Sequence, residues 1–110
     1  MFAIGAEAIH LFRSLSAGLD PYQRYCFAQT LMDYATALGA RNRPGDAARA
    51  AGDAVTVLRQ LAAELPHKHL SSLRFGLLAL SEKLANAGDR GHAANARREA
   101  DAIAAHLRRS

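Results

Sequence analysis

Few side chains in this sequence of 110 residues have the type and spacing to do chemistry. His67-Lys68-His69 sets two imidazoles two residues apart, which is the start of a metal site. No Cys or Glu stands at ligand spacing to complete it, and zinc needs three or four such donors. A solvated turn ahead of a helix is the expectation for that tripeptide. Cys26 is the one thiol. A thiol nucleophile is activated by a nearby base, and no base is near Cys26 in the sequence. Cys26 is therefore expected to be a small buried hydrophobe. His10, His92 and His106 are scattered. There is no Gly-rich phosphate loop, paired-carboxylate motif or nucleophile elbow. These residues predict a protein that is not an enzyme, with no catalytic residue, no metal and no cofactor.

Charge offers one rival chemistry. The formal net charge is +4, and Arg90, Arg97, Arg98, Arg108 and Arg109 gather near the end of the chain. A nucleic-acid footprint needs such charge clustered on one face. Arg90, Arg97 and Arg98 do not all share a helix face, and Glu99 and Asp101 interleave with them. A solvated helix end is the expectation, with Arg108 and Arg109 complementing the negative end of the helix dipole. Nucleic acid is thus an unlikely partner, and a small helical nucleic-acid-binding regulator stands only as the alternative reading. No run of five like charges forms a basic tail.

The opening "MFAIGAEAIHLFRSL" carries Glu7 and His10 and has no basic leader, so it does not read as a signal peptide. No apolar stretch approaches the roughly 20 residues that span a bilayer. A lone cysteine forms no internal disulfide, which suits a reducing compartment. A soluble, cytoplasmic protein without a membrane partner is expected.

Any site must be positioned by helices. Aromatics are only 6% of the chain and Trp is absent, so the apolar mass is mainly Ala and Leu, the composition of close-packed helices. Asp20-Pro21, Asn42-Arg43-Pro44-Gly45, Pro66 and Gly88-Asp89-Arg90-Gly91 punctuate it, and proline is tolerated at the first turn of a helix. Five helices are predicted, at about 2–19, 22–40, 45–65, 68–87 and 91–109. Each carries an apolar stripe at helical spacing, with none alternating as a strand would. In the first helix the stripe is Ile4, Ala8, Leu11, Leu15 and Leu19. The second has Phe27, Leu31, Tyr34, Ala35 and Leu38, and the third Ala47, Ala50, Ala51, Ala54, Leu58 and Leu61. The fourth has Leu73, Leu77, Leu80, Ser81 and Leu84, and the fifth Ala93, Ala96, Ala100, Ile103 and Leu107.

The chain also repeats itself. "EAIHLFRSLSAGL" and "DAVTVLRQLAAEL" stand 46 residues apart, and the offset holds without a gap along the sequence, giving 13 identities in 64 pairs. Composition alone would supply about half of these, so position matters more than the count. Turn meets turn at Gly45 and Gly91. Small meets small at Ala47/Ala93 and Ala54/Ala100, and large meets large at Leu31/Leu77 and Leu38/Leu84. Self-similarity at such a period marks helix pairs that need neighbours to cover their apolar faces.

These residues resemble the tetratricopeptide repeat family in its long bacterial form, with repeats of about 42–46 residues. Leu31-Tyr34-Ala35-Leu38 and Leu77-Leu80-Ser81-Leu84 fit that family's first helix. Ala47 with Ala54, and Ala93 with Ala100, fit the paired small residues of its second, and "DAVTVLRQLA" fits its linking phrase. The turn "GARNRPG" is longer and more basic than the family's usual turn. Arg97 replaces a large apolar residue, which suggests a last helix with one wet face. The resemblance implies an all-α fold, a single domain of antiparallel helix pairs forming a right-handed α-solenoid of about five helices. It also implies protein–protein interaction, as scaffold, adaptor or dimerising module, or as a fragment of a larger signalling or transcriptional regulator. Its concave face would be lined here by Gln29, Met32, Thr36 and Gly39, then Phe75, Leu78, Glu82 and Ala85. Of these, Gln29, Met32, Thr36, Phe75, Leu78 and Glu82 are the candidate partner-binding residues, with a protein or peptide, or a second copy of the chain, as the partner. The Asn and Lys pattern with which some relatives capture a peptide C-terminus is missing from those positions.

Overall fold

A computed structural model describes residues 20–109. The helix predicted at 2–19 lies outside the described residues. Those described are all-helical: α1 (Pro21–Ala40), α2 (Pro44–Glu64), α3 (Pro66–Asn86) and α4 (Arg90–Arg109). Three of the four open on a proline, whose missing N–H costs nothing in a first turn. Asp20 and Gln23 close α1 with a reciprocal capping box: the Gln23 amide donates to Asp20 Oδ1 at 2.8 Å, and the Asp20 amide donates to Gln23 Oε1 at 3.1 Å. Leu65 alone separates α2 from α3, and its own amide closes α2 by donating to the Leu61 carbonyl at 2.7 Å.

The two longer turns are copies of each other. After α1, Arg43 N–H donates to the Leu38 carbonyl at 3.0 Å and Asn42 N–H to the Gly39 carbonyl at 3.1 Å. After α3, Asp89 N–H donates to the Leu84 carbonyl at 2.9 Å and Gly88 N–H to the Ala85 carbonyl at 3.0 Å. Each is a Schellman ending, with its left-handed residue at Asn42 (φ 61°) or Gly88 (φ 84°). Every one of these positions is related by the offset of 46. A Cβ on Gly88 would meet nothing within 4 Å, so Gly88→Ala is penalised by its backbone alone, by about 1 kcal/mol. Asn42→Gly should gain roughly 0.5 kcal/mol for the same reason. Urea midpoints that move the same way for both variants would contradict this account of the turns.

Each helix packs mainly on the next, and α1 meets α3 only lightly. Between α1 and α2, Ala35 and Leu38 bury against Ala47, Ala50 and Ala51, while Leu31 buries against Ala54. Small side chains at this seam let helix axes approach to the roughly 8–10 Å typical of packed pairs. Between α2 and α3 the seam is large on large. Val55, Leu58 and Leu61 pack with Leu73 and Leu77, and Ala96 and Ala100 of α4 join the same cluster. Where α1 holds Ala35, α3 holds Ser81, whose hydroxyl donates to the Ala93 carbonyl of α4 at 2.9 Å.

Two sequence expectations are corrected. Cys26 is exposed rather than buried. The buried line of α1 runs through Arg24, Ala28, Leu31, Ala35 and Leu38, and a residue two places from two of these points the opposite way at about 100° per residue. His67-Lys68-His69 is the first turn of α3 and not a solvated turn before it. His69 is buried there, its ring 5.5 Å from that of Tyr25.

Candidate protein-binding cleft

Because α1 and α3 barely touch, a cleft of about 390 Å³ opens between them. Tyr25, Gln29 and Met32 line it from α1, and Ser71, Ser72 and Phe75 line it from α3. Its floor is Ala28, Gly76 and Leu58, the last reaching up from α2. Helical spacing brings 25, 29 and 32 onto one face of α1 and 71, 72 and 75 onto one face of α3. Phe75 is 63% exposed, and Tyr22, one turn before Tyr25, is 73% exposed. The Arg74 guanidinium lies 5.5 Å from the Phe75 ring centre, within cation–π range. Among the described residues no charged side chain lines the cleft, so the chemistry they present there is apolar and aromatic, with neutral hydroxyl and amide groups at the rim.

Of the six residues the sequence singled out, the structure brings Gln29, Met32 and Phe75 together in this cleft. Thr36, Leu78 and Glu82 do not line it. Thr36 is exposed, and its hydroxyl donates to the Met32 carbonyl at 3.2 Å. Leu78 is half-buried and packs on the main core. Glu82 is exposed with its Oε1 3.9 Å from Lys83 Nζ. Met32 is half-buried and touches both smaller core clusters. Gly39 lines a different cavity, and Ala85 is exposed. Sequence reasoning passed over Tyr25, Ser71 and Ser72. Tyr25 and Ser72 each lie one helical turn from a singled-out residue, at Gln29 and Phe75, which is the signal that would have found them. Among the described residues no group of three His, Cys, Asp or Glu could hold a metal ion, and no helix is long and apolar enough to cross a membrane.

An ion pair fixes the end of the α1–α2 pair beside the cleft. The mostly buried Arg24 donates to Glu64 through Nη1 at 2.6 Å and Nη2 at 2.8 Å. This bond, more than the bare charge, holds the Glu64 carboxyl below the usual carboxylate range and raises the Arg24 guanidinium. Asp89 is lowered too, first by the His92 amide it caps and then by the His92 ring, whose Nδ1 lies 2.7 Å from Oδ2. A carboxyl depressed in the folded state contributes stability above its unfolded value, and that contribution is lost as pH falls through the folded value. Thermal midpoints followed by circular dichroism should therefore stay level from pH 7 to about 5 and fall below about pH 4, where carboxylates protonate. Glu64→Gln should flatten part of that acid fall. An unchanged acid profile in this variant would remove the pair from the account.

No family model, curated protein or solved structure matches the chain.

Proposed function

We propose that this chain is a helical-repeat interaction module of the tetratricopeptide kind, which binds a protein partner through the α1–α3 cleft and catalyses nothing. The observation that carries the reading is Phe75, left 63% exposed beside Met32 and Tyr25 at the mouth of a ready-made cleft. A large aromatic in water contributes nothing to folding, and exposed apolar patches mark interaction sites. Aromatic anchors and adaptable methionines are the side chains that dominate protein interfaces. The uncharged lining suits a neutral segment of the partner that presents an apolar side chain. Scaffold, adaptor and dimerising roles in the cytoplasm all fit this surface, as does service within a larger regulator. A nucleic-acid reading has one observation in its favour, the exposed arginines of α4. Glu99 and Asp101 weaken it, being paired with Arg59 and Arg97.

Panning a random peptide library on the native chain tests the proposal, with Phe75→Glu and Met32→Glu run in parallel. The native protein should enrich one peptide family with affinities on the order of 10 μM. Phe75→Glu should weaken it by roughly tenfold or more, with little change in melting temperature. Equal enrichment by the native and Phe75→Glu chains, or none by either, would sink the reading.

A further inference from the structure

One stripe of α3 carries Lys68, Phe75 and Glu82. Seven residues separate each from the next, which is two helical turns less about 20°, so all three lie on one side of the helix. All are exposed, Phe75 by 63% and the Glu82 side chain by 69%. The order is cation, aromatic, anion, with the ring at the midpoint. The charged ends stand about 21 Å apart at 1.5 Å per residue, so they do not pair with each other within one chain. The fold gives no reason for the lysine. It stands in a first turn that holds no acidic residue, where the helix dipole disfavours a cation. Glu82 has only the long contact of 3.9 Å with its neighbour Lys83. The equivalent positions of the first repeat are Tyr22, Gln29 and Thr36, so neither charge is part of the repeat's own packing.

We propose that the partner seated on this face is a second copy of the chain, docked about a two-fold axis that crosses α1 and α3 at the level of Gln29 and Phe75. A two-fold interface pairs one surface with itself, so that residue i meets j and j meets i. With the axis at Phe75, α3 runs antiparallel to α3 of the other copy. Lys68 of each copy then faces Glu82 of the other, and the two Phe75 rings meet at the centre, each at the mouth of the opposite cleft. On the α1 side the same axis sets uncharged Tyr22 opposite uncharged Thr36. A parallel arrangement would place Lys68 on Lys68 and Glu82 on Glu82, so charge complementarity selects the antiparallel one. Exposed ion pairs add little affinity. They fix the orientation, while burial of the aromatic rings supplies the attraction. This inference rests on the reading of the α1–α3 face as a binding surface, and names what binds there.

Sedimentation equilibrium over a range of concentrations is the test. The native chain should dimerise with a dissociation constant on the order of 100 μM. Lys68→Glu and Glu82→Lys each turn both attractive contacts into repulsive ones, and each should weaken the dimer by roughly tenfold, with little change in melting temperature. Mixed in equal amounts, the two variants restore opposite charges at both contacts and should form a heterodimer as tight as the native dimer. An effect of either charge on the fold alone would not be repaired by mixing. A native chain that stays monomeric, single variants that dimerise as well as it does, or a mixture that recovers nothing would each overturn the proposal. A native chain that stays monomeric yet enriches a peptide in panning would overturn the self-pairing alone, leaving the cleft to a different protein.

Discussion

Replacing Gly76 with valine is expected to lower stability by about 2–3 kcal/mol, the scale of overpacking in a filled core. Gly76 is buried inside α3, where a glycine would ordinarily cost helix stability. The neighbours explain it. A Cβ at this position would come within 2.6 Å of Leu58 Cδ1 and 3.5 Å of Val55 Cγ2. Leu58 is among the most buried side chains of the protein, so it has little room to turn aside. A β-branched residue would push α3 off α2 and close the cleft floor, where Gly76 and Leu58 meet. Gly76→Ala should be much milder, because about 1 kcal/mol of gained helix propensity offsets part of the clash. Urea denaturation of the two variants checks the order. A valine variant as stable as the native chain would mean that the α2–α3 seam is looser than described.

Leu77→Ala is expected to cost about 3 kcal/mol, within the range for emptying a fully enclosed leucine site. Leu77 has no exposed surface and packs in the cluster that joins α2, α3 and α4, so its loss weakens both helix pairs at once. Phe75→Ser, two residues away on the same helix, should change stability by less than about 0.5 kcal/mol, as surface substitutions do. The contrast separates the residue that holds the fold from the residue offered to a partner. Comparable losses for the two would remove Phe75 from the candidate site.

The helices were legible because their boundaries are written locally. Prolines 21, 44 and 66 set starts, and the structure begins each of the four described helices within two residues of the expected place. The repeat was legible because the same packing problem recurs. Leu31 and Leu77 are both buried, as are Ala47 and Ala93, and the two Schellman turns match bond for bond. Long-range partners were not legible. Nothing local to Arg24 announces Glu64, 40 residues away, and nothing near His69 announces the Tyr25 ring. The site was legible in part for the same reason. Helical phase places Gln29, Met32 and Phe75 on first-helix faces that look toward each other. How deep Met32 and Leu78 sink depends on the angle at which α1 and α3 diverge, and neither helix encodes that alone. Gly76 shows the same limit: its sequence reads as a weak point in a helix, and only Leu58 from the preceding helix turns it into a fitted contact.

The most direct measurement is the footprint of the tightest panned peptide on the ¹⁵N-labelled chain. The account predicts amide shifts concentrated at Tyr25, Gln29, Met32, Ser72 and Phe75, with Arg49, Gln60 and Arg98 unmoved. Shifts centred on α4 or on the exposed side of α2, with the α1–α3 cleft silent, would contradict it.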